Sequence, residues 1–487
     1  MVMLQDVARE LGGSGLLVEV SRDADVVELR DVEHDSRSVG PGSLYCCVVG
    51  EHHDGHAFVE DARRAGAVAL LVSDPVSSVL PVVRVERSAM RRGMAIAARV
   101  VHSDPSVRVP VFGITGTNGK TTTAAFLAAI LDVARLRPRV FGTLTGARTT
   151  PESTELQRSM RHAIDEGVGA VVMEVTSHAL VLERTYGVSF ETAVFTNLGH
   201  DHLDFHGTMD AYFEAKALLF VPGTTKSVVI NGDDPYGATL VERCRRVFDA
   251  ESMHVYGLAD AKDLHETLDE SSFVWSGQRI ELSVGGRHNV MNALAAATAA
   301  RAFGIDAVTI ARGLASVTLV PGRLQLVNSA PASDEPRVFV DYAHTPDSLE
   351  AVLGAVRSAC SGRVLVVFGC GGDRDRDKRP VMGRVASRHA DTVVVTSDNP
   401  RSEDPQSIID AVLEGVDSGD DVVAIVDRRE AIRHAVTAAR PGDVVVIAGK
   451  GHEQGQTFAN GTVPFDDVEE AREALARRAN DERSGGE

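Results

Sequence analysis

Residues 111–123 read VFGITGTNGKTTT, an apolar run, a glycine-punctuated turn and then Lys-Thr-Thr-Thr. No other stretch constrains the fold as tightly. The apolar run predicts a strand, and AAFLAAILDVA beyond the turn predicts a helix. Such a turn leaves several backbone N–H groups converging beside the positive end of the helix, which is a cradle for phosphate. Lys120 is placed to reach terminal phosphates, and Thr121 or Thr122 to offer a hydroxyl to Mg2+. The strict P-loop needs four residues between its first glycine and Gly-Lys. Here Gly113 has five and Gly116 has two, so the strict motif fails while its chemistry stands. ATP is the expected nucleotide.

A chain of 487 residues is long enough for two to four domains, each with its own core. A net charge of −19 argues against general affinity for nucleic acid or an anionic membrane. An anionic nucleotide would have to be held by local lysines, arginines and helix ends. The cysteines (Cys46, Cys47, Cys244, Cys360 and Cys370) are odd in number and lack CxxC spacing, which predicts free thiols in a reducing compartment. The opening MVMLQDVARELGGSG has no signal-peptide core, and no apolar run approaches the roughly 20 residues needed to span a bilayer. A cytoplasmic protein is expected.

Three blocks can be separated, with boundaries at 1–103, 104–320 and 321–487. The first has apolar runs (SLYCCVVG, AVALLVS, PVVRVE) and one predicted helix, FVEDARRAG. In the second, GAVVMEV, TAVFTNL and SVVINGDDP alternate with helical patterns such as DAYFEAKALLF and NVMNALAAATAARAFG. This alternation predicts a mainly parallel sheet covered by helices. The third repeats the pattern, with strands in PRVFVDYA, RVLVVFG, DTVVVTS and DVVVIAG. There Thr345 is a predicted N-cap and Pro346 the first helical residue, with Leu349, Val352, Leu353 and Val356 on one face. The fold class is α/β with a second, Rossmann-like unit. Its loops DYAHTPD, GCGGDRDRDKR, SDNPRSEDP and GKGHEQGQ fall beyond the strands' carboxyl ends, where ligands collect.

Glu174, ending GAVVME near the phosphate loop, is a candidate Mg2+ ligand, or else a helix-capping partner. TNLGHDHLDFHG packs Asp201, His202 and Asp204 into one loop. The cluster lacks cysteine and HExxH spacing, so magnesium beside ATP is simpler than zinc, and His200 or His206 can be an ordinary loop histidine.

TGTNGKTTT, MEVTSHAL, FTNLGHDHLDFHG, YFEAKALLF, DYAHTPDSLE, FGCGGDRDRDKRPVMG, DNPRSEDP and GKGHEQGQ occur in this order. Together they resemble the ATP-dependent Mur ligases of peptidoglycan synthesis, over nearly the whole chain. The phosphate loop marks only the superfamily, which includes folylpolyglutamate synthases. DNPR with GGDRD and GKGHE is more specific. The resemblance implies an N-terminal domain for a UDP group, a central ATPase and a C-terminal domain for an incoming amino acid. It implies as substrates UDP-N-acetylmuramoyl-L-alanyl-D-glutamate, ATP with Mg2+, and meso-diaminopimelate; a monomer is expected, with no nucleic-acid or membrane partner.

By that resemblance Ser36, Glu51, His52 and His53 would lie by the uridine diphosphate, and Thr149, Thr150, Thr176 and Arg184 would hold the muramoyl peptide. Gly116, Thr117, Asn118, Gly119, Lys120, Thr121, Thr122, Asn292, Arg323, Asp341 and His344 would serve ATP. Thr121, Glu174, His202 and a carbamylated Lys216 would stand on the metal side. Arg374, Asp398, Asn399, Pro400, Arg401, Gly449 and Glu453 match the diaminopimelate site. Read without the resemblance, Lys216 is a snorkelling surface lysine on an amphipathic helix. His34, Arg148 and Leu182 depart from relatives at the muramoyl contacts. L-Lysine as the incoming amino acid, and a non-catalytic nucleotide-binding paralogue, are the rival readings.

Overall fold

The computed structural model describes residues 1–50, 53–328, 335–417 and 421–484. Three main sheets are built from consecutive stretches of chain. The first has the strand order Leu17–Val20, Val82–Val85, Ala67–Val72, Ser43–Cys46, Asp31–Glu33, parallel except for its first edge. The expected helix is present at Val59–Ala65. Leu4–Gly13 and Met90–Val101 are further helices that the reading of apolar runs passed over. Their signal was there: Leu4, Val7, Ala8 and Leu11 recur at helical spacing, and all are buried.

The second sheet is wholly parallel, in the order Met253–Tyr256, Thr225–Asn231, Phe190–Phe195, Val111–Thr115, Ala170–Glu174, Pro138–Phe141. From Val111–Thr115 the chain runs through the helix Lys120–Val133 to the far edge, Pro138–Phe141. It returns to pair Ala170–Glu174 on one side of Val111–Thr115, and Phe190–Phe195 then pairs on the other. That reversal opens a crevice at the carboxyl end of the phosphate-loop strand. Helices Lys120–Val133, Arg287–Ala302 and Ala307–Ala315 pack over one face. Gly313 admits this packing, since a Cβ there would lie 2.4 Å from the Cα of Ile130. The strands Lys262–Glu266, Ser271–Trp275 and Gln278–Leu282 form an antiparallel meander that strand–helix alternation does not anticipate.

The third sheet has the order Gln325–Leu326, Arg337–Asp341, Val444–Ala448, Val364–Phe368, Thr392–Val395, Asp421–Ala424, parallel except for its first strand. All four expected strands are among these. The helix Pro346–Ala359 starts as its sequence requires: the Thr345 hydroxyl accepts from the Ser348 N–H at 3.3 Å, and Ser348 Oγ accepts from the Thr345 N–H at 3.0 Å. Leu349, Val352, Leu353 and Val356 are buried beneath it.

Behind the third sheet, Arg428 and Asp467 form a fully buried ion pair at 2.8 Å. The Arg428 guanidinium also donates to the Ala448 carbonyl at 2.9 Å and to that of Ser397 at 3.4 Å. It thus clamps two strand ends to the C-terminal helix Asp467–Ser484. Asp467→Ala strands a charge in a dry site and is expected to destabilise this unit by about 3–5 kcal/mol. Urea denaturation followed by tryptophan-independent circular dichroism checks the value. Among the described residues no helix is long and apolar enough to cross a membrane.

Candidate functional site

The second and third sheets point their carboxyl ends at one cleft of about 800 Å3. On one wall, the phosphate loop is shaped by two glycines with positive φ, Gly116 (152°) and Gly119 (84°). A Cβ at Gly116 would sit 1.9 Å from Thr196 Oγ1, and one at Gly119 would sit 2.2 Å from Asn292 Oδ1. Asn197 pins the loop, accepting from the Thr117 N–H at 2.9 Å through its carbonyl and from the Asn118 N–H at 2.9 Å through Oδ1. Gly119 gives the helix Lys120–Val133 no side-chain cap, so its first N–H groups stay open to the cleft.

Lys120 folds back on the loop, donating to the carbonyls of Gly116 and Thr117, each at 2.9 Å. Burial lowers its pKa, against the pull of Glu174 and Asp201. The choice between Thr121 and Thr122 is decided by position. Thr121 Oγ1 donates to Glu174 Oε2 at 2.9 Å and accepts from Arg323 at 3.1 Å. Glu174 also accepts from the Thr143 N–H at 2.8 Å, so its carboxylate ties the loop to a neighbouring turn and caps no helix. Thr143 and Glu174 sit tightly enough that Gly142 has no room for a Cβ, which would fall 2.3 Å from Glu174 Oε1.

Lys216 is not a surface lysine. On the helix Met209–Ala217 it is 1% exposed, among buried Tyr212, Phe213, Ala215 and Ala217. Its Nζ donates to the Gly116 carbonyl at 2.9 Å, the same oxygen that Lys120 uses, and lies 4.5 Å from the centre of the Tyr212 ring. Burial first, and Lys120 second, push its pKa well below the usual lysine value. His202 takes a left-handed backbone (φ 55°) that turns its ring edge-on to His178, 4.9 Å between centroids. Desolvation brings His202 down to about 3, leaving the imidazole neutral at physiological pH. Of the flanking histidines, His206 Nε2 meets Ser177 Oγ at 2.9 Å, whereas His200 contributes its backbone N–H to Asp347 Oδ2 at 3.0 Å.

A second group adjoins this wall. Thr150 Oγ1 donates to the Glu174 carbonyl at 2.9 Å, and Thr176 Oγ1 lies 3.3 Å from it. Thr149 Oγ1 lies 3.1 Å from Thr143 Oγ1. Arg184 donates to the Thr150 carbonyl at 3.2 Å and pairs with Glu152 at 2.8 Å. Arg148 lines the cleft beside them, whereas Leu182 closes the short helix Ser177–Val181 and His34 Nδ1 meets Thr154 Oγ1 at 3.3 Å. Ser36 and His53 belong to the first sheet's loops and do not line the cleft; Glu51 and His52 lie outside the described residues.

The opposite wall carries the third sheet's loops. Asp341 accepts from the N–H groups of Leu324 (2.6 Å) and Ala343 (2.7 Å), which fixes the crossing from the second unit. The Arg323 guanidinium lies over the Tyr342 ring at 4.5 Å, and His344 Nδ1 meets the Tyr342 carbonyl at 2.8 Å. Arg401 also has a left-handed backbone (φ 52°), and its N–H donates to the Thr457 carbonyl at 3.0 Å. Its guanidinium donates to the Gly372 carbonyl at 2.6 Å. Glu403 is taken by Arg379 (2.9 Å) and Arg376 (3.1 Å), and neither it nor Asp398 forms an ion pair with Arg401. Arg374 is exposed at the cleft edge, close to Gly371. The Pro400 carbonyl approaches Gly372 so closely that a Cβ there would lie 1.9 Å away. Gly449, with φ 115°, has Asp398 Oδ2 2.7 Å from where its Cβ would be. Asn399 Nδ2 donates to Glu453 Oε2 at 2.8 Å.

Three family models match in series: "Mur ligase family, catalytic domain" over residues 28–106, "Mur ligase middle domain" over 114–300 and "Mur ligase, glutamate ligase domain" over 322–451. A UDP-N-acetylmuramoyl-L-alanyl-D-glutamate–2,6-diaminopimelate ligase of Geobacillus thermodenitrificans is 43% identical, over 95% of this chain and 98% of its own length. The chain belongs to the Mur ligase family. A ligase of the same name from Gloeobacter violaceus is 41% identical over 93% of this chain and 95% of its own. A solved structure of that name shares the Mur ligase fold with a TM-score of 0.66 at 32% identity, covering 98% of this chain and 99% of the other. A Mycobacterium tuberculosis folylpolyglutamate synthase, at 20% identity and TM-score 0.59 over 73% of this chain and 91% of its own, shares the fold.

In this Mur ligase the structure also brings forward side chains that motif reading left out. Lys450 sits inside the quoted GKGHE, between two residues singled out for the site, yet is itself fully buried. Asn197 and Thr143 shape the phosphate wall, and Tyr342 carries Arg323. Asn197 stood in the quoted FTNLGHDHLDFHG. Tyr342 stood in the quoted DYAHTPDSLE, whereas for Thr143 the local sequence carries no signal beyond its neighbours.

Proposed function

We propose that this ligase joins the amino group of meso-diaminopimelate to the D-glutamyl carboxylate of UDP-N-acetylmuramoyl-L-alanyl-D-glutamate, with ATP converted to ADP and phosphate. The observation that carries the reading is that one cleft holds the phosphate loop, the Thr150–Thr176–Arg184 group and the DNPR loop. Names of full-length relatives point the same way. Residues 1–103 would take the UDP group through Ser36 and the His53 loop, 104–320 would bind ATP, and 321–487 the amino acid. Because one chain supplies every wall, a monomer suffices. Free cysteines accord with work in the cytoplasm.

A carboxylate is a poor electrophile and must be activated. The glutamyl carboxylate, steadied by Arg184, attacks the γ-phosphate to give an acyl phosphate and ADP. The amine of the incoming amino acid then attacks the acyl carbon, and the tetrahedral intermediate expels phosphate. Phosphoryl transfer asks the protein for placement and charge neutralisation, which Lys120, Arg323 and the open N–H groups of the loop supply. Asn292, Asp341 and His344 border the nucleotide. The donors Thr121 and Glu174 are hard oxygens beside the phosphate cradle, and among the described residues no three His, Cys, Asp or Glu side chains form a cage. That set fits Mg2+, which takes one or two carboxylates and completes its shell with phosphate and water. Bound there, Mg2+ would neutralise phosphate charge, with Thr121 and Glu174 to hold it and His202 and a carbamylated Lys216 proposed on the same side.

Phosphate release measured with the UDP-muramoyl dipeptide against a panel of amino acids tests the reading. Release is expected only with the dipeptide and diaminopimelate together, and labelled carboxylate oxygen should appear in the phosphate. Turnover of L-lysine at an equal rate, or no transfer of label, would overturn the substrate or the route respectively. ADP release that needs both substrates separates a ligase from a non-catalytic paralogue.

A further inference from the structure

Lys450 is the one fully buried lysine amine of the third unit that faces the amino-acid loops from behind, at 0% exposure and off the cleft surface. Its Nζ donates to Glu453 Oε2 at 2.9 Å and to Asn399 Oδ1 at 3.0 Å, and stands 4.0 Å from Asp398 Oδ1. Asn399 closes the ring by donating to Glu453 Oε2. Asn399 Oδ1 also accepts from the Thr457 N–H at 2.9 Å, which ties the ring to the hairpin that holds the backbone of Arg401. The strand ends carrying this ring are clamped below by Arg428.

We propose that Lys450 is a positioning residue for amino-acid selection: a buried cation that orders Asn399 and Glu453 so that the Glu453 carboxylate presents a fixed anionic contact to the substrate ammonium. The inference rests on the amino-acid reading above. The physical need is plain. Two carboxylates and an amide beside one another repel or rotate unless a counter-charge satisfies their inner oxygens, and a loose ring loses its selectivity for a group placed at a set distance from Arg401. Glu453 meets the opposing influence of desolvation, which raises its pKa, and of Lys450, Asn399 and His344, which bring it net below the usual value. Tyr342 and His452 also face it. The carboxylate therefore stays charged where an ammonium would approach.

Lys450→Met keeps the buried methylenes and removes the cation. The expected result is a rise in KM for diaminopimelate of about 10- to 100-fold, the usual worth of a hydrogen bond to a charged group. KM for ATP should move by less than about threefold, since Lys120 and Arg323 are untouched. The acid limb of the pH profile of 1/KM for diaminopimelate should shift upward, because Glu453 then protonates more readily. Lys450→Arg should restore part of the loss. In a Glu453→Gln background the Lys450→Met effect on KM should shrink, as the two act through one contact. A folded Lys450→Met with unchanged KM for diaminopimelate overturns the proposal, as does an equal rise in both KM values. If neither Lys450→Met nor Lys450→Arg folds, Lys450 serves the fold alone and the proposal fails. If the unaltered enzyme does not use diaminopimelate, it is the substrate reading that fails instead.

Discussion

Arg401→Ala is expected to cut kcat/KM for diaminopimelate by roughly 1,000-fold while KM for ATP stays within about threefold. Diaminopimelate differs from lysine by a second, distal carboxylate, and a planar guanidinium suits it in bidentate fashion. In the structure one nitrogen of Arg401 is anchored on the Gly372 carbonyl at 2.6 Å. Glu403 is engaged by Arg376 and Arg379, and Asp373, whose carboxylate feels the Arg401 charge, is held by Ser402. The guanidinium is therefore held but not neutralised, as a carboxylate receptor must be. Alanine keeps a Cβ on the same left-handed backbone, so the variant adds no new strain at φ 52° and isolates the charged head. Steady-state kinetics with each substrate varied in turn measures the effect. Equal use of L-lysine and diaminopimelate by the unaltered enzyme would contradict it.

Lys216→Met should lower kcat by roughly 100- to 1,000-fold, the range seen when one preorganised charge is removed from a phosphoryl-transfer or oxyanion site. The proposed reason is a carbamate on this side chain. A neutral lysine amine adds to CO2, forming an N–C bond and releasing one proton, and the product (N6-carboxylysine) is an anion. An ordinary lysine is protonated at neutral pH and does not react. Lys216 is buried beside Lys120, and both features disfavour its ammonium form. The sign follows: its pKa lies below 10.5, so the reactive amine is present above that lowered value and is lost as pH falls through it. Activity after thorough removal of CO2 should drop and recover with bicarbonate, with the carbamate signal strongest at the alkaline end. Intact-mass or carbon-13 spectra read the adduct. Full activity without CO2 would remove the carbamate from the mechanism, leaving Lys216 as a partner of the Gly116 carbonyl.

Features governed by near neighbours in the chain could be read from residue order. The phosphate loop needs positive φ at Gly116 and Gly119 and a helix start at Lys120, all within a few residues. Thr345, Pro346 and Ser348 form a local cap, so the start of Pro346–Ala359 was legible as written. Buried parallel strands announce themselves as short apolar runs, and four of those in the third block fell where expected. The antiparallel meander at 262–282 was harder to read, because KDLHE offers a single apolar residue and SSFVW buries a serine, although QRIEL alternates and buries Ile280 and Leu282.

The side chains that matter most to the chemistry were named from motifs, yet their condition depended on contacts between residues far apart in the chain. Thr121 rather than Thr122 meets Glu174 because a parallel strand delivers that carboxylate from 53 positions away. Lys216 passed for a surface lysine on local grounds and is buried only because its helix docks beneath Gly116, 100 positions earlier. Arg401 is left without a carboxylate by the Arg376 and Arg379 pairing to Glu403, and Lys450 acquires its role only when two strand ends bring Asn399 and Glu453 to it. Turn geometry and periodicity are short-range properties of the backbone. Desolvation and charge pairing are set by whatever packs alongside, and packing exists only once the sheets have assembled.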